Sequence, residues 1–255
     1  MKASNQNDQV TSEETVEILR LAEQCLRFNG DFVELGCYRG DTSVLLGKLL
    51  ARFNSDCGKT VQKHEIAVEK ICKTSKSTVE NLRKTSKNLC KTCAKFENNC
   101  GKTVQNPVEK SVEKHLWIYD SFAGLPDKTS EDNSSAGRNF QKGELSVTKR
   151  EVADKIRRHG LHNIIIKKAW FDDLKDKDLP AKIAFAFLDG DLYGSIKTSL
   201  RLVVPRLKEQ GIIIVHDYNK PELPGSSRAV DEFLRAHSEY HLQNRYSLAI
   251  LRKEC

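Results

Sequence analysis

The sequence has no run approaching the roughly 20 apolar residues that a membrane-spanning helix requires. That excludes helical membrane insertion as its business. The N-terminus is polar and carries no secretory leader pattern. Eight cysteines without such a leader are expected to be reduced rather than paired, which places the protein in the cytoplasm. At 255 residues the chain has the length of one domain, or of one domain with an insertion.

A further lack lies between the strand-like Phe32-Val33-Glu34-Leu35 and a helix opened by the N-cap Asp41 with Thr42 and Ser43 behind it. A dinucleotide site would present G-x-G-x-x-G there, because a pyrophosphate must approach the backbone and the helix N-terminus. Here the loop is Gly36-Cys37-Tyr38-Arg39-Gly40, with only two glycines and Glu34 just before it. A carboxylate beside the phosphate position repels an anion and suits a cation. S-adenosylmethionine (SAM), which has a sulfonium and an ammonium and no phosphate, fits that loop. The pattern E-x-G-x-x-x-G also arises by chance, so the loop alone decides little.

Residues 55–114 lack what a folding segment needs. Apolar residues are sparse and mostly small or β-branched, too little surface to offset the entropy of ordering. Twelve lysines and one arginine face seven acids, a net +6 of the chain's +7. The segment repeats itself: Cys57-Gly58-Lys59-Thr60-Val61-Gln62 returns as Cys100-Gly101-Lys102-Thr103-Val104-Gln105. A repetitive insertion, partly helical and mobile, is the plain expectation. Zinc at Cys57, Cys90, Cys93 and Cys100 is a competing reading, but the spacing matches no standard ligand pattern. Nucleic-acid binding by the lysines is another, disfavoured because aromatic side chains are not interleaved with them as stacking platforms.

Outside that segment, apolar runs alternate with amphipathic ones. Thr11-Ser12-Glu13-Glu14 opens a first helix as a capping box, and Asn29-Gly30 ends it. Strand-like runs follow at 32–35, 116–120, 163–166, 183–188, 212–215 and 246–251, with helices after Thr148, from Ile196 to Val204 and from Ser226 or Ser227. Strands alternating with helices predict an α/β fold with a parallel sheet covered on both faces. The polar stretch before Gly143 reads as a mobile loop. Gly36 and Asp120 are 84 positions apart, and excising the 60 residues of 55–114 leaves 24. That is close to the roughly 20 expected between a glycine loop and the acid that bonds a ribose.

Two strands end in metal-binding chemistry. The run 183–188 leads into Asp189-Gly190-Asp191, and 212–215 into His216-Asp217-Tyr218-Asn219. Open parallel sheets bind ligands at the carboxyl ends of their strands. If the two strands are neighbours, Asp189, His216 and Asp217 converge with Asp191 beside them. The plainer alternative is that these acids only cap the helices that follow.

Five stretches together resemble a known family, the macrocin O-methyltransferase (TylF/MycF/NovP-like) group of class I SAM-dependent methyltransferases. They are Val33–Gly40, Asp120-Ser121-Phe122-Ala123-Gly124-Leu125-Pro126, Leu188–Tyr193, Ile213–Tyr218 and Pro224–Phe233. The resemblance covers about 30–54 and 116–251 and implies a Rossmann-like, mostly parallel seven-stranded sheet. Its domains are then a disordered 1–10, a methyltransferase domain over 11–54 and 115–255, and the insertion 55–114. It implies SAM and a divalent cation, usually Mg2+, as cofactors. The implied reaction methylates a hydroxyl of a sugar or glycosylated small molecule; a phenolic or other small-molecule hydroxyl is the alternative. A non-catalytic binding protein on the same fold, using its basic insertion, is the alternative of another class. The partners expected are a small-molecule acceptor and a second copy of the chain in a homodimer, without membrane or nucleic acid.

Carried over by position, Asp189 and Asp217 stand as metal ligands, with His216 as a third ligand or an alternative base. Asp191 stands as general base. Glu34, Gly36, Tyr38, Gly40, Thr42, Ser43, Asp120, Ser121, Phe122 and Asp189 stand as cofactor contacts. The chain departs from the family pattern at His216, where two successive aspartates are common. It departs again at Gly194, in place of a glutamate, and at Gln210-Gly211, in place of Gly-Gly.

Overall fold

The computed structural model describes residues 10–56, 113–136 and 139–253. The expectations for the repeats, cysteines and lysines of the insertion, and for the first nine residues, lie outside the described residues. Among the described residues no helix is long and apolar enough to cross a membrane.

Seven strands form one sheet: β1 (Asp31–Leu35), β2 (Leu116–Asp120), β3 (Ile164–Lys168), β4 (Ile183–Leu188), β5 (Leu207–Val215), β6 (Tyr240–Arg245) and β7 (Leu248–Lys253). Their order across the sheet is β3-β2-β1-β4-β5-β7-β6. Neighbours among β1 to β5 pair in parallel, and β7 is antiparallel to both β5 and β6. Among the described residues five α-helices flank the sheet: α1 (Ser12–Gln24), α2 (Asp41–Asp56), α3 (Lys149–Arg158), α4 (Tyr193–Val203) and α5 (Pro224–Ala236). The mostly parallel seven-stranded sheet flanked by helices is the α/β architecture expected.

Both faces of the sheet are covered, which is why the central strands are continuous apolar runs rather than alternating ones. Every residue of β4 is fully buried. Its alternate side chains serve different cores. Phe185 and Phe187 pack with α1, α2 and α3, whereas Ala186 and Leu188 pack with α4 and α5. Burying side chains of this size stabilises by roughly 1.5–3 kcal/mol each before entropy is counted.

Local expectations mostly match, but several ends differ: the strand expected at 212–215 already starts at Leu207, and the helix expected from Ile196 to Val204 runs from Tyr193 to Val203. The first helix stops at Gln24 rather than at Asn29-Gly30, and Cys25–Arg27 continues as a 3-10 turn. The last helix starts at Pro224, whose fixed φ suits a first helical turn, rather than at Ser226 or Ser227. Tyr246-Ser247 is the turn before β7, not its first residues. β6 was not marked at all, because an edge strand of mostly exposed polar residues carries little apolar pattern.

In the stretch expected to be mobile, the turn Ser130–Asp132 is held by bonds to other elements. Buried Asp132 caps the turn Ser130–Asp132 and accepts the Tyr193 N–H at 2.7 Å. Arg228 Nη1 donates to the Glu131 carbonyl at 2.5 Å.

The two ends of the 55–114 segment meet. Asn54 Nδ2 donates to the Lys114 carbonyl at 2.9 Å, and the Lys114 N–H returns to Asn54 Oδ1 at 3.0 Å. Lys114 itself is buried, its ammonium donating to the Gly30 and Phe28 carbonyls.

Candidate active site

Strand register builds the site. Leu35 is paired with both Tyr119 and Leu188, and Leu188 is paired with Val215. The next residue of each strand, or the last of β2, therefore stands at one rim: Gly36, Asp120, Asp189 and His216. Backbone bonds carry the ladder one step further, from Gly36 N–H to Tyr119, from Asp189 N–H to Leu35 and from His216 N–H to Leu188, all 2.8–2.9 Å. Gly36 has φ +89°, and a Cβ there would lie 2.0 Å from the Asp189 carbonyl oxygen. No other residue fits this crossing of loops.

A cleft of about 380 Å³ opens above this rim, within the range of small-molecule sites. Of the expected cofactor contacts, Glu34, Gly36, Tyr38, Thr42, Asp120, Ser121 and Asp189 line it, and so does Asp191. Gly40, Ser43 and Phe122 do not. Gly40 (φ +72°) closes the loop turn through its N–H to the Cys37 carbonyl. Ser43 is buried beneath the cleft, donating to Glu34 Oε2 at 2.5 Å. Phe122 turns into the core between the loop and α2. These three shape the loop instead of facing a ligand.

The Asp120 carboxylate already has partners. Its Oδ2 accepts the N–H groups of Cys37 (2.9 Å) and Tyr38 (3.3 Å), and its Oδ1 that of Phe122 (2.7 Å). It thus ties the two loops together, with lone pairs remaining for a ligand hydroxyl. Burial pushes the Glu34 acid up to about 8, with Asp189, Asp120 and Asp41 adding to the effect against the opposing Ser43 bond. Burial thus favours the protonated form of Glu34 in the free protein. Opposite this loop, Trp170 and Phe171 line the cleft just beyond β3. Their position at a strand end, among apolar neighbours, was a sequence cue left unused.

Asp189, His216 and Asp217 come together as the strand order requires, each offering one ligand atom within 4.8 Å of the others. His216 Nδ1 lies 2.8 Å from Asp189 Oδ1 and 3.2 Å from Asp217 Oδ1. His216 and Asp217 are each 3% exposed and do not line the cleft; Asp189 is the member that does. Asp191 and Asp217 both have φ +59°, a left-handed conformation costly for residues with a Cβ. Such strain concentrates where side chains must be aimed.

Charge in this cluster is heavily coupled. Burial raises Asp191 well above the usual carboxylate range, and the Asp217 and Asp189 charges push it further. Burial opposes a charge on His216, but Asp217 and Asp189 outweigh it and hold the imidazole well above its ordinary value. Lys220 Nζ reaches Asp217 Oδ1 at 2.5 Å. Glu14, on α1, lies 3.5 Å from His216 Nε2. Neither Lys220 nor Glu14 was marked as a site residue in the sequence. Glu14 does form the expected capping box with Thr11, but nothing local signals that it also reaches a residue some 200 positions away.

The sequence model of the macrocin O-methyltransferase family (TylF) matches residues 106–242, more than half of the chain. The chain belongs to this family. A tetracenomycin-type 4'-O-methyltransferase of Streptomyces olivaceus, acting on a dimethoxyrhamnosyl compound by its name, is 31% identical over 111 residues. That alignment takes in 41% of this chain and 42% of the relative. Demethyldecarbamoylnovobiocin O-methyltransferase of Streptomyces niveus is 30% identical over 127 residues, 48% of this chain and 47% of the relative. The chain thus spans less than half the length of these two curated relatives. A calicheamicin methyltransferase of known structure superposes with a TM-score of 0.61 at 18% identity, over 95% of this chain and 80% of the other. That likeness speaks to the fold. The family match begins beyond Gly36, so the glycine loop takes its place from the sheet rather than from the family pattern.

Proposed function

We propose that the protein is a SAM-dependent O-methyltransferase whose acceptor is a hydroxyl of a sugar or glycosylated small molecule. The observation that carries this reading is the shared rim. One cleft is lined by the Gly36 and Asp120 loops on one side and by Asp189 and Asp191 on the other. The names of the family relatives support the acceptor class.

Within the cleft, Asp120 has lone pairs for the ribose hydroxyls, and Glu34 faces the cationic end of the cofactor. Trp170 and Phe171 offer a flat apolar wall for a purine. SAM, when bound, supplies a methyl group on a sulfonium.

The donor set fits a divalent cation. The two carboxylates suit magnesium or manganese, and the imidazole shifts the preference toward manganese and the later divalent metals. Donor separations near 3 Å match neighbouring positions around an ion with ligands at about 2.1 Å. We assign Asp189, Asp217 and His216 to hold it. A cation there would supply Lewis acidity toward the acceptor hydroxyl.

Asp191 serves as general base. The acceptor hydroxyl gives its proton to Asp191 while its oxygen takes the methyl group from sulfur in an in-line displacement, and the thioether product leaves. A cation held by Asp189, His216 and Asp217 would favour the ionised form of Asp191 that a base requires. His216 is buried away from the cleft with Nδ1 against two acids, which fits a ligand and not a base. Much of the rate comes from holding oxygen, methyl and sulfur in line.

The test is methyl transfer from labelled SAM to a panel of rhamnosides and related glycosides, with magnesium or with excess EDTA. Asp191→Asn should retain SAM binding and lose roughly 10²–10⁴-fold in turnover, the contribution of a positioned base. Full turnover in EDTA would remove the cation from the scheme, and full turnover by Asp191→Asn would remove the base.

A further inference from the structure

Glu14 has more to do than cap a helix. Its Oε2 accepts the Thr11 N–H at 2.8 Å and the Thr11 hydroxyl at 2.9 Å, which is the capping box. Its Oε1 accepts the Ser247 N–H at 3.2 Å and the Ser247 hydroxyl, which ties α1 to the turn before β7. A capping-box glutamate commonly sits at the surface, where its two bonds are enough. This one is 2% exposed and approaches His216 Nε2 to 3.5 Å.

That ring is held between acids. Nδ1 faces Asp189 Oδ1 and Asp217 Oδ1, toward the cluster. Nε2 points the other way, fully buried, and has no hydrogen bond inside ordinary limits. Its nearest acid is Glu14 Oε2 at 3.5 Å, long for a hydrogen bond and close for an ion pair. A ring so placed can keep a proton on Nε2 for Glu14 while leaving the Nδ1 lone pair free for a ligand. With a cation held among Nδ1 and the two acids, the opposite tautomer would leave the Nε2 lone pair facing Glu14 in a buried site, a costly arrangement.

We infer that Glu14 is a positioning residue for the cation site: it fixes the ring and tautomer of His216, so that Nδ1 is the ligand atom. This rests on the reading of Asp189, His216 and Asp217 as a cation site. It explains how a histidine can stand at position 216. An imidazole, unlike a carboxylate, must have its second nitrogen satisfied, and Glu14 on a different element meets that need. Partners of this kind orient a ligating histidine, and their loss typically costs 10–100-fold in metal affinity.

The experiment measures manganese(II) affinity of the full chain by EPR and calorimetry, without SAM or acceptor. Glu14→Gln should weaken binding 10–100-fold. Thr11→Ala, which breaks the helix cap but leaves the Glu14 carboxylate, should stay within about 3-fold. Nitrogen-15 NMR of the magnesium-loaded wild type should show His216 protonated at Nε2 and bare at Nδ1. That readout does not depend on any variant folding. Unchanged affinity in Glu14→Gln, an equal loss in Thr11→Ala, or the reverse tautomer overturns the inference and leaves the cation site standing. Failure of the wild type to bind manganese(II) or magnesium removes the site itself, and Glu14's role with it.

Discussion

Glu34 shows how a single side chain can change meaning between sequence and structure. As a letter beside a glycine loop it is a carboxylate. In the fold it is buried against Ser43 with its acid raised to about 8. Folding therefore favours the protonated form. Its contribution to stability is complete below about pH 4.5, the ordinary value, and is lost as pH rises through about 8. Glu34→Gln should flatten that decline, which is on the order of a few kcal/mol across the window; urea melts at pH 5, 7 and 9 would measure it. A parallel decline in wild type and variant would mean that Glu34 is not the group responsible. The same protonation predicts proton release when a cationic ligand arrives. SAM titrations at pH 7 in buffers of different ionisation enthalpy should give buffer-dependent heats that disappear in Glu34→Gln.

At the scale of elements, register does the work that spacing only hinted at. The pairing of Leu35 with Tyr119 and Leu188, and of Leu188 with Val215, sets four loops side by side. Strand ends were legible in the sequence because apolar runs stopped abruptly at Asp120, Asp189 and His216. Which strands were neighbours was not, since buried parallel strands read alike. Glu14 was readable as a cap and unreadable as a partner of His216, because only tertiary packing brings α1 over β5. Lys220, on the turn after β5, was hidden among surface-like residues.

Asn54 and Lys114, at the end of α2 and just before β2, bond to each other reciprocally, and compact αβ units are joined at such a place by short loops. Replacing residues 57–112 with a short Gly/Ser linker should give a chain that still folds, melts cooperatively and binds SAM within a few-fold of wild type. Insoluble or molten product would show that the segment belongs to the fold. Asn54→Ala in the same background should cost about 1–3 kcal/mol, because a buried backbone pair loses both partners.

For the whole molecule, charge and chemistry are separated along the chain. The segment 55–114 carries +6 of the net +7, so the remainder of the chain is nearly neutral. A nearly neutral body around an acid-lined cleft offers phosphate backbones little electrostatic attraction and accommodates a cationic cofactor. The account stands on what that cleft prefers. Calorimetric titration of SAM, and separately of NAD, into the intact protein measures it directly. The account predicts one SAM per chain, no detectable NAD binding, and SAM binding weakened by roughly 1.5–3 kcal/mol in Asp120→Ala, the value of a lost charge-assisted hydrogen bond. NAD binding without SAM binding would contradict it.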